Sequence, residues 1–325
     1  MKLNFYDRNL NRVGEIQTWM SMVWQVRYNT QGVFQLECQK IDGIYLLLKR
    51  WNYVCKPDSN DVMVILSVQT KNGIVLAVGA PATCILARRI STEEVSNENA
   101  ELAMRRVVSN MTPWDNLELG TLAELTDTYT PQFSDGSVLE YLENISEACD
   151  IGFRIIKDGK KLKLVCYKPT LNANARFSEE WGNVGDIEHT DSDVNYYNVA
   201  RVAGAGDGAD RVTVWAGNTA LTGADRLELY VDARDIQKKD TETDADYEAR
   251  LVARGEQKLI DQARIDSVAF DIDNDNVLLG EVVYVRLTDI GVSFQVRVTG
   301  IKEVSQNNQT TKTIELGQPI FKRRM

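Results

Sequence analysis

The sequence predicts an α+β fold that is predominantly β: two barrel-like antiparallel β domains with a helix-helix-hairpin module between them. Three observations carry this prediction. The N-terminal region and the last fifth of the chain alternate apolar with polar side chains at period two, the signature of sheets with one buried face. Turn residues interrupt those runs every roughly 8–12 positions, as in barrels and sandwiches. Helical apolar spacing occurs in only three stretches, two of them between the β regions. The expected boundaries are 1–90 for the first β domain, 91–170 for the α/β module and 171–325 for the second β domain, which contains a long helix at about 244–264.

Taken in order, Met1 to Leu10 reads as a first strand, and Val13 to Ile16 follows a turn at Asn9 to Arg12. Trp24-Gln25-Val26-Arg27-Tyr28 and Val33-Phe34-Gln35-Leu36-Glu37-Cys38 alternate cleanly. Trp51 to Cys55, Val62 to Gln69 and Gly73 to Val78 complete the N-terminal set. Lys71-Asn72-Gly73 is a hairpin signal, because Asn-Gly takes positive φ readily. Cys84 to Ile90 ends the region, and the period then changes. Ala100, Ala103, Met104, Val107, Val108 and Met111 fall on one helix face, and Thr112-Pro113 marks its stop. A second helix begins at Ser134-Asp135-Gly136-Ser137. Ser137 and Glu140 have capping-box spacing, and Val138, Leu142, Ile145 and Cys149 form the apolar stripe.

Gly152 to Ile156 and Lys161 to Cys166 flank Asp158-Gly159, a second hairpin signal. Pro169 to Ala175 reads as a linker. Asn195 to Ala203, Arg211 to Ala216 and Leu227 to Val231 read as strands. Asp244 to Arg264 is the longest helix, with Asp244 and Asp246 at its electropositive end. Three closing strands lie within Val268 to Gly317, broken at Asp289-Ile290-Gly291 and at Ser305 to Gln309. Val282 to Leu287 is apolar on almost both faces, while Phe294, Val296 and Val298 alternate with Gln295, Arg297 and Thr299.

Composition narrows the function classes. A chain of 325 residues is expected to hold more than one core. Its 43% hydrophobic and 26% charged residues are those of an ordinary globular protein. No aliphatic run approaches the roughly 20 residues of a membrane helix, so no membrane insertion is expected. The charged start, Met1 to Arg8, lacks the apolar segment of a signal peptide. The five cysteines, Cys38, Cys55, Cys84, Cys149 and Cys166, are odd in number and lack CxxC spacing, which points to buried free thiols in a reducing compartment. With one histidine, they offer no zinc cluster. The net charge is −10 and unevenly spread. Residues 1–90 hold 11 Lys/Arg and 6 Asp/Glu, and the remaining 26 Lys/Arg and 41 Asp/Glu leave −15 on residues 91–325. Such a surface repels a phosphate backbone.

No motif assembles a catalytic kit. Gly204-x-Gly206-x-Gly208 follows a strand, but its third glycine is one position early for a dinucleotide fingerprint, and a strand follows where a helix is needed. Asp271-x-Asp273-x-Asp275 resembles the start of a calcium loop, but Asn276 and Val282 replace the required Gly and Glu. His189 lies next to Thr190-Asp191 with no nominated nucleophile. Arg88-Arg89 and Lys322-Arg323-Arg324 are basic without interleaved aromatics, which favours solvated charge or subunit docking over nucleic acid. Trp19, Trp24, Trp51 and Tyr53 crowd the first domain as core or interface residues. No catalytic, cofactor or metal residue is nominated, no cofactor is expected, and interface residues remain unassigned.

Leu278-Leu279-Gly280-Glu281-Val282-Val283-Tyr284-Val285 followed by Val296-Arg297-Val298-Thr299-Gly300-Ile301 resembles the closing strands of phage tail-hub proteins. The helix Tyr247 to Gln262, with Arg254-Gly255 midway and Lys258-Leu259 after it, is similar to that family's preceding helix. Leu3 to Leu10 and Trp24 to Cys38 resemble the N-terminal hub region of siphophage tail tips, including that of tail-associated lysins. The resemblance implies a structural protein and not an enzyme. It implies a homotrimer at the tail tip or baseplate, whose paired barrels make a pseudo-sixfold ring. The implied partners are the tail-tube or distal tail protein ring, the tape-measure protein, and receptor-binding or fibre proteins. Genomic DNA would pass only in transit, along an acidic inner wall. The implied location is the virion tail tip, assembled in the host cytoplasm. Related proteins carry a downstream lytic or fibre region; with this sequence ending at Met325, such an activity is expected on another protein. The rival expectations are a tail-associated peptidoglycan hydrolase acting through paired carboxylates and a carbohydrate-binding module using an exposed tryptophan such as Trp51.

Overall fold

A computed structural model of the chain describes residues 2–92, 98–129, 136–183, 187–206, 208, 211–239, 242–262, 265–271, 277–287, 292–306 and 309–320. It divides into two compact units, Met1–Glu188 with Val268–Met325, and His189–Ser267. The sequence boundaries at 90 and 170 both fall inside the first unit.

The N-terminal strands are β1 (Leu3–Tyr6), β2 (Arg12–Ile16), β3 (Ser21–Arg27) and β4 (Phe34–Gln39), then a one-turn helix α1 (Ile44–Leu47), β5 (Tyr53–Cys55), β6 (Val62–Lys71) and β7 (Ile74–Pro81). A 3₁₀ segment, Ala82–Arg88, leads to β8 (Ile90–Ser91), β9 (Glu98–Asn99), α2 (Ala100–Asn110), β10 (Leu117–Leu119), β11 (Thr128–Tyr129), β12 (Gly136–Ser137), α3 (Val138–Cys149), β13 (Gly152–Asp158) and β14 (Lys161–Tyr167). β15 (Leu171–Ser178) precedes the second unit and β16 (Ile187–Ser192) runs across its start; the unit then holds β17 (Val199–Ala203), β18 (Thr213–Gly217), β19 (Glu228–Asp232) and α4 (Asp244–Asp261). The chain returns through β20 (Ile265–Asp271) to β21 (Val282–Leu287), β22 (Val292–Gln306) and β23 (Gln309–Ile320).

The fold is predominantly β, and thirteen strands share one sheet. From β20 its order is β20-β23-β22-β3-β4-β7-β6-β5-β1-β2, with β21 on β22 and β15 on β21. The two β regions expected at the chain ends are thus two limbs of one sheet, whose path is open among the described residues. The stitch is β22 against β3, antiparallel, with Gly300 opposite Arg27 and Gln306 opposite Ser21. β22 is 15 residues long, so it pairs first with β21 through Arg297 and then with β3 from Gly300. Asn72 (φ 51°) and Gly73 (φ 77°) form the tight turn between β6 and β7, as their sequence demands.

The alternation read from sequence decides which faces are buried. Phe34, Leu36 and Cys38 of β4 point into the N-terminal core, where Trp24 meets Phe34 edge-on at 5.7 Å between ring centroids. Val283, Val285, Phe294, Val296 and Val298 build the core of the C-terminal limb with Ile314 and Leu316. Between them, α2 and α3 pack on β13, β14 and the inner face of β5 and β6. The Asn99 side chain caps α2 by accepting from Leu102 N at 3.0 Å. Ser137 and Glu140 form the expected capping box on α3. Cys38, Cys55, Cys84 and Cys166 are buried free thiols and Cys149 is half-buried. Burial pushes Cys38 up to about 11 and the other three buried thiols up to about 12, so they stay protonated at neutral pH.

One expectation is overturned. Pro169 to Ala175 is not a linker: from Leu171 onward it belongs to β15, which runs parallel to β21 with Arg176 opposite Tyr284. Its Asn- and Ala-rich composition has low β propensity, and the partner strand overrides it.

In the second unit, β18-β17-β19 form a three-stranded sheet under α4. Gly255 lies where the helix crosses that sheet, and an added Cβ would stand 2.6 Å from Ala216 Cβ and Val202 Cγ2. A mid-helix glycine costs about 1 kcal/mol in propensity, but here it sets the helix-sheet distance. Gly255→Val is expected to lower stability by roughly 1–3 kcal/mol through overpacking, read as a lower thermal midpoint.

Candidate functional site

The first unit contains a polar junction where its three sequence regions meet. At the end of β3, Tyr28 donates its hydroxyl proton to Asp150 Oδ1 at 3.1 Å. Asp150 is the left-handed C-cap of α3, φ 51°. From β22, Arg297 donates to Asp150 Oδ2 at 2.7 Å and to the Gly280 carbonyl at 2.7 Å, with its guanidinium over the Tyr28 ring. Tyr167 of β14 stands edge-on to Tyr28 at 6.4 Å and donates to the Leu279 carbonyl. Gly280 has φ 87° and lies flat on Tyr28: an added Cβ would approach the ring to 2.7 Å. Burial first, then the Asp150 charge, hold the Tyr28 hydroxyl well above its ordinary range, and burial pushes Tyr167 up to about 12. Neither phenol serves as a base near neutrality. The junction is a clasp.

A second set of ties follows the β22–β3 seam. Lys56 pairs with Glu303 while its ammonium sits 4.6 Å from the centre of the Trp24 ring. Gln25 donates to Glu315 at 2.5 Å, Arg27 pairs with Glu315 at 3.0 Å, and Trp19 Nε1 donates to Ser305 Oγ at 3.2 Å. All four join segments whose sequence separation hides them from local patterning.

A partly open pocket of about 130 Å³ lies between Val26, Asn29, Asp61, Phe153, Leu279 and Glu143. Burial, reinforced by Glu140 and Glu147 on the same helix, pushes the Glu143 carboxyl up to about 7. Asp61, Arg27 and Arg154 line the same space. A carboxyl with a folded pKa above its unfolded value stabilises fully below the unfolded pKa and loses that contribution as it ionises. Stability is therefore expected to fall as pH rises from 4.5 through about 7, and Glu143→Gln should flatten that slope in urea titrations at several pH values.

The residues singled out by sequence are scattered. Gly204 is glycine because Tyr247 fills its space: an added Cβ would stand 2.4 Å from the Tyr247 oxygen, which accepts from Ala205 N and donates to the Ile236 carbonyl. Residues 207, 209 and 210, the acidic positions 272–276, the turns at 288–291 and 307–308, and Lys322-Arg323-Arg324 lie outside the described residues. His189 is in β16, but its side chain is likewise outside them. Trp24 and Tyr53 are core. Trp51 (φ 69°) lies between Arg8 and Trp114, whose ring centroid is 5.4 Å away. Arg89 braces the end of α2 by donating to the Thr112 and Pro113 carbonyls. Among the described residues no three His, Cys, Asp or Glu side chains group to hold a metal ion, and no helix is long and apolar enough to cross a membrane.

Sequence reading missed an open cleft of about 480 Å³ beside β2. Arg8, Lys49 and Arg50 line it with Val13 and Leu46. Its only trace in the sequence is the positive balance of residues 1–90.

A family profile described as siphovirus ReqiPepy6 Gp37-like protein matches residues 2–318. The chain belongs to this family. No curated protein matches it. Among solved structures, the Gp37-like fold is similar to the tail protein from Neisseria meningitidis MC58, with 13% identity and a TM-score of 0.60 over 97% of this chain and 96% of that one. It is similar to the 43 kDa tail protein of prophage MuSo2 from Shewanella oneidensis, with 10% identity and a TM-score of 0.58 over 98% of both chains. It also resembles prophage tail protein gp18 from Listeria monocytogenes EGD-e, with 11% identity and a TM-score of 0.52 over 97% and 94%. At these identities the Gp37-like chain shares a fold with phage tail proteins from end to end.

Proposed function

We propose that this chain is a structural tail-hub protein of a phage or prophage, placed at the distal end of the tail in the virion. The observation that carries this reading is coverage: the family match spans residues 2–318, and the fold shared with three tail proteins runs nearly the full length of each. A hub must present similar surfaces to a sixfold tube and a threefold tip. Two limbs of one sheet per subunit, taken three times around an axis, supply six, and free strand edges are covered by neighbours. In this reading the partners are the tail-tube or distal tail protein ring above, the tape-measure protein within, and receptor-binding or fibre proteins outside. DNA crosses the ring without being held, because an acidic inner wall repels its phosphates.

Cryo-electron microscopy of particles carrying this chain is the test. Three copies in a closed ring at the tail tip are expected; six copies, or a position on the shaft, would refute the hub role. The role is structural, so purified chain in a peptidoglycan zymogram is expected to leave no cleared band, and clearing lost on substitution of an Asp or Glu would establish a hydrolase instead.

A further inference from the structure

The cleft beside β2 has features of an unfilled interface. Arg8, Lys49 and Arg50 are exposed, and none has an ion-pair partner among the described residues. The one carboxylate lining the cleft, Asp7, is occupied by its own turn, accepting from Asn9 N, Asn11 N and Asn11 Nδ2 at 2.9, 2.9 and 3.1 Å. Three cations therefore face one opening that holds a single carboxylate, a surplus of two positive charges. Leu46 on the rim is 72% exposed and Val13 is 39% exposed. Among the described residues β2 is a terminal strand of the sheet, paired only with β1, so its outer edge has open backbone donors and acceptors.

We propose that this cleft docks a carboxylate-bearing surface of a second copy of this chain; the inference rests on the ring reading above and names its contact. Charge complementarity selects the occupant: residues 91–325 carry −15, against +5 for residues 1–90. A rotational ring needs two different, mutually complementary patches on each subunit, and a basic cleft on an acidic chain supplies one of them. Nucleic acid fits less well. The chain as a whole repels phosphate, no aromatic side chain lines the cleft, and Trp51, next to Arg50, already has Arg8 and Trp114 against it.

Zero-length carbodiimide coupling in assembled tails, built from equal amounts of ¹⁴N- and ¹⁵N-labelled chain, tests it. Mixed-isotope peptides joining Lys49 to an Asp or Glu of this same sequence are expected. Lys49 joined only to another tail protein, only within its own copy, or to nothing, in particles that show the three-copy ring, overturns this inference and leaves the ring standing. Absence of the ring itself is read separately by microscopy. Lys49→Glu/Arg50→Glu, with an unchanged thermal midpoint, is expected to reduce tail assembly at least roughly tenfold, since like charges then face each other across the contact. Wild-type assembly by a folded charge-reversed chain would equally overturn it.

Discussion

Glu303→Ala is expected to destabilise the first unit by about 3 kcal/mol, because it strands a buried ammonium. The Lys56 and Glu303 side chains are only 11% and 21% exposed, and Lys56 lies against Trp24. Desolvation already lowers the Lys56 pKa, with the Glu303 charge and hydrogen bond working against it. Removing the carboxylate removes that support. The unfolded chain then holds a proton that the folded chain binds more weakly, so the variant's stability should climb with pH through the window below 10.5, more steeply than wild type. The double variant Lys56→Met/Glu303→Leu should return close to wild-type stability, because two apolar groups replace the pair without leaving a charge. Urea midpoints of both variants at two pH values decide the matter; equal stability of the single and double variants would show that the pair is solvated.

Glu101→Ala is expected to cost a similar amount, about 2–4 kcal/mol. Glu101 is 1% exposed within α2. Its carboxylate accepts from Ala123 N at 2.7 Å and Leu125 N at 3.1 Å, so one helix side chain satisfies two amides of the segment between β10 and β11. Truncation removes the acceptor of both amides, of which Leu125 is half-buried and Ala123 lies at the exposed end of the contact, and it empties the buried space that the Glu101 side chain fills. The expected signature is local as well as global: hydrogen exchange at Ala123 and Leu125 should accelerate more than at the α2 core. Glu101→Gln, which keeps an acceptor without the charge, should fall between alanine and wild type.

These two residues mark the limit of sequence reading. The caps at Asn99 and Ser137, the hairpins at Asn72-Gly73 and Asp158-Gly159, and the stripes of α2 and α3 were legible because their signals span a few residues. Lys56 with Glu303, Arg297 with Asp150, and Tyr28 with Tyr167 were not, since each pair is brought together by strand register between distant segments. Glu101 sits among helix residues whose polarity marks an outward position, and only the loop folded over it makes it interior. β15 fails as a strand by composition and succeeds by pairing. The basic cleft arises from Arg8 and Lys49-Arg50, two segments too ordinary to notice separately. The cleft was thus visible only as a charge imbalance, while the long strands and the three long helices were visible in order; the short strands β8 to β12, the strands β15 and β16, and the division of the closing segment into β20 to β23 were not.

The seam between β22 and β3 also governs biogenesis. β3 emerges from the ribosome roughly 270 residues before the strand that completes it, so throughout translation one flank of the nascent sheet is bare. Closing so wide a loop is entropically slow, and nascent chains interrupted before Gly300 would display an adhesive border to one another. Folding of the newly made chain is therefore expected to depend on keeping that border covered until synthesis is nearly finished.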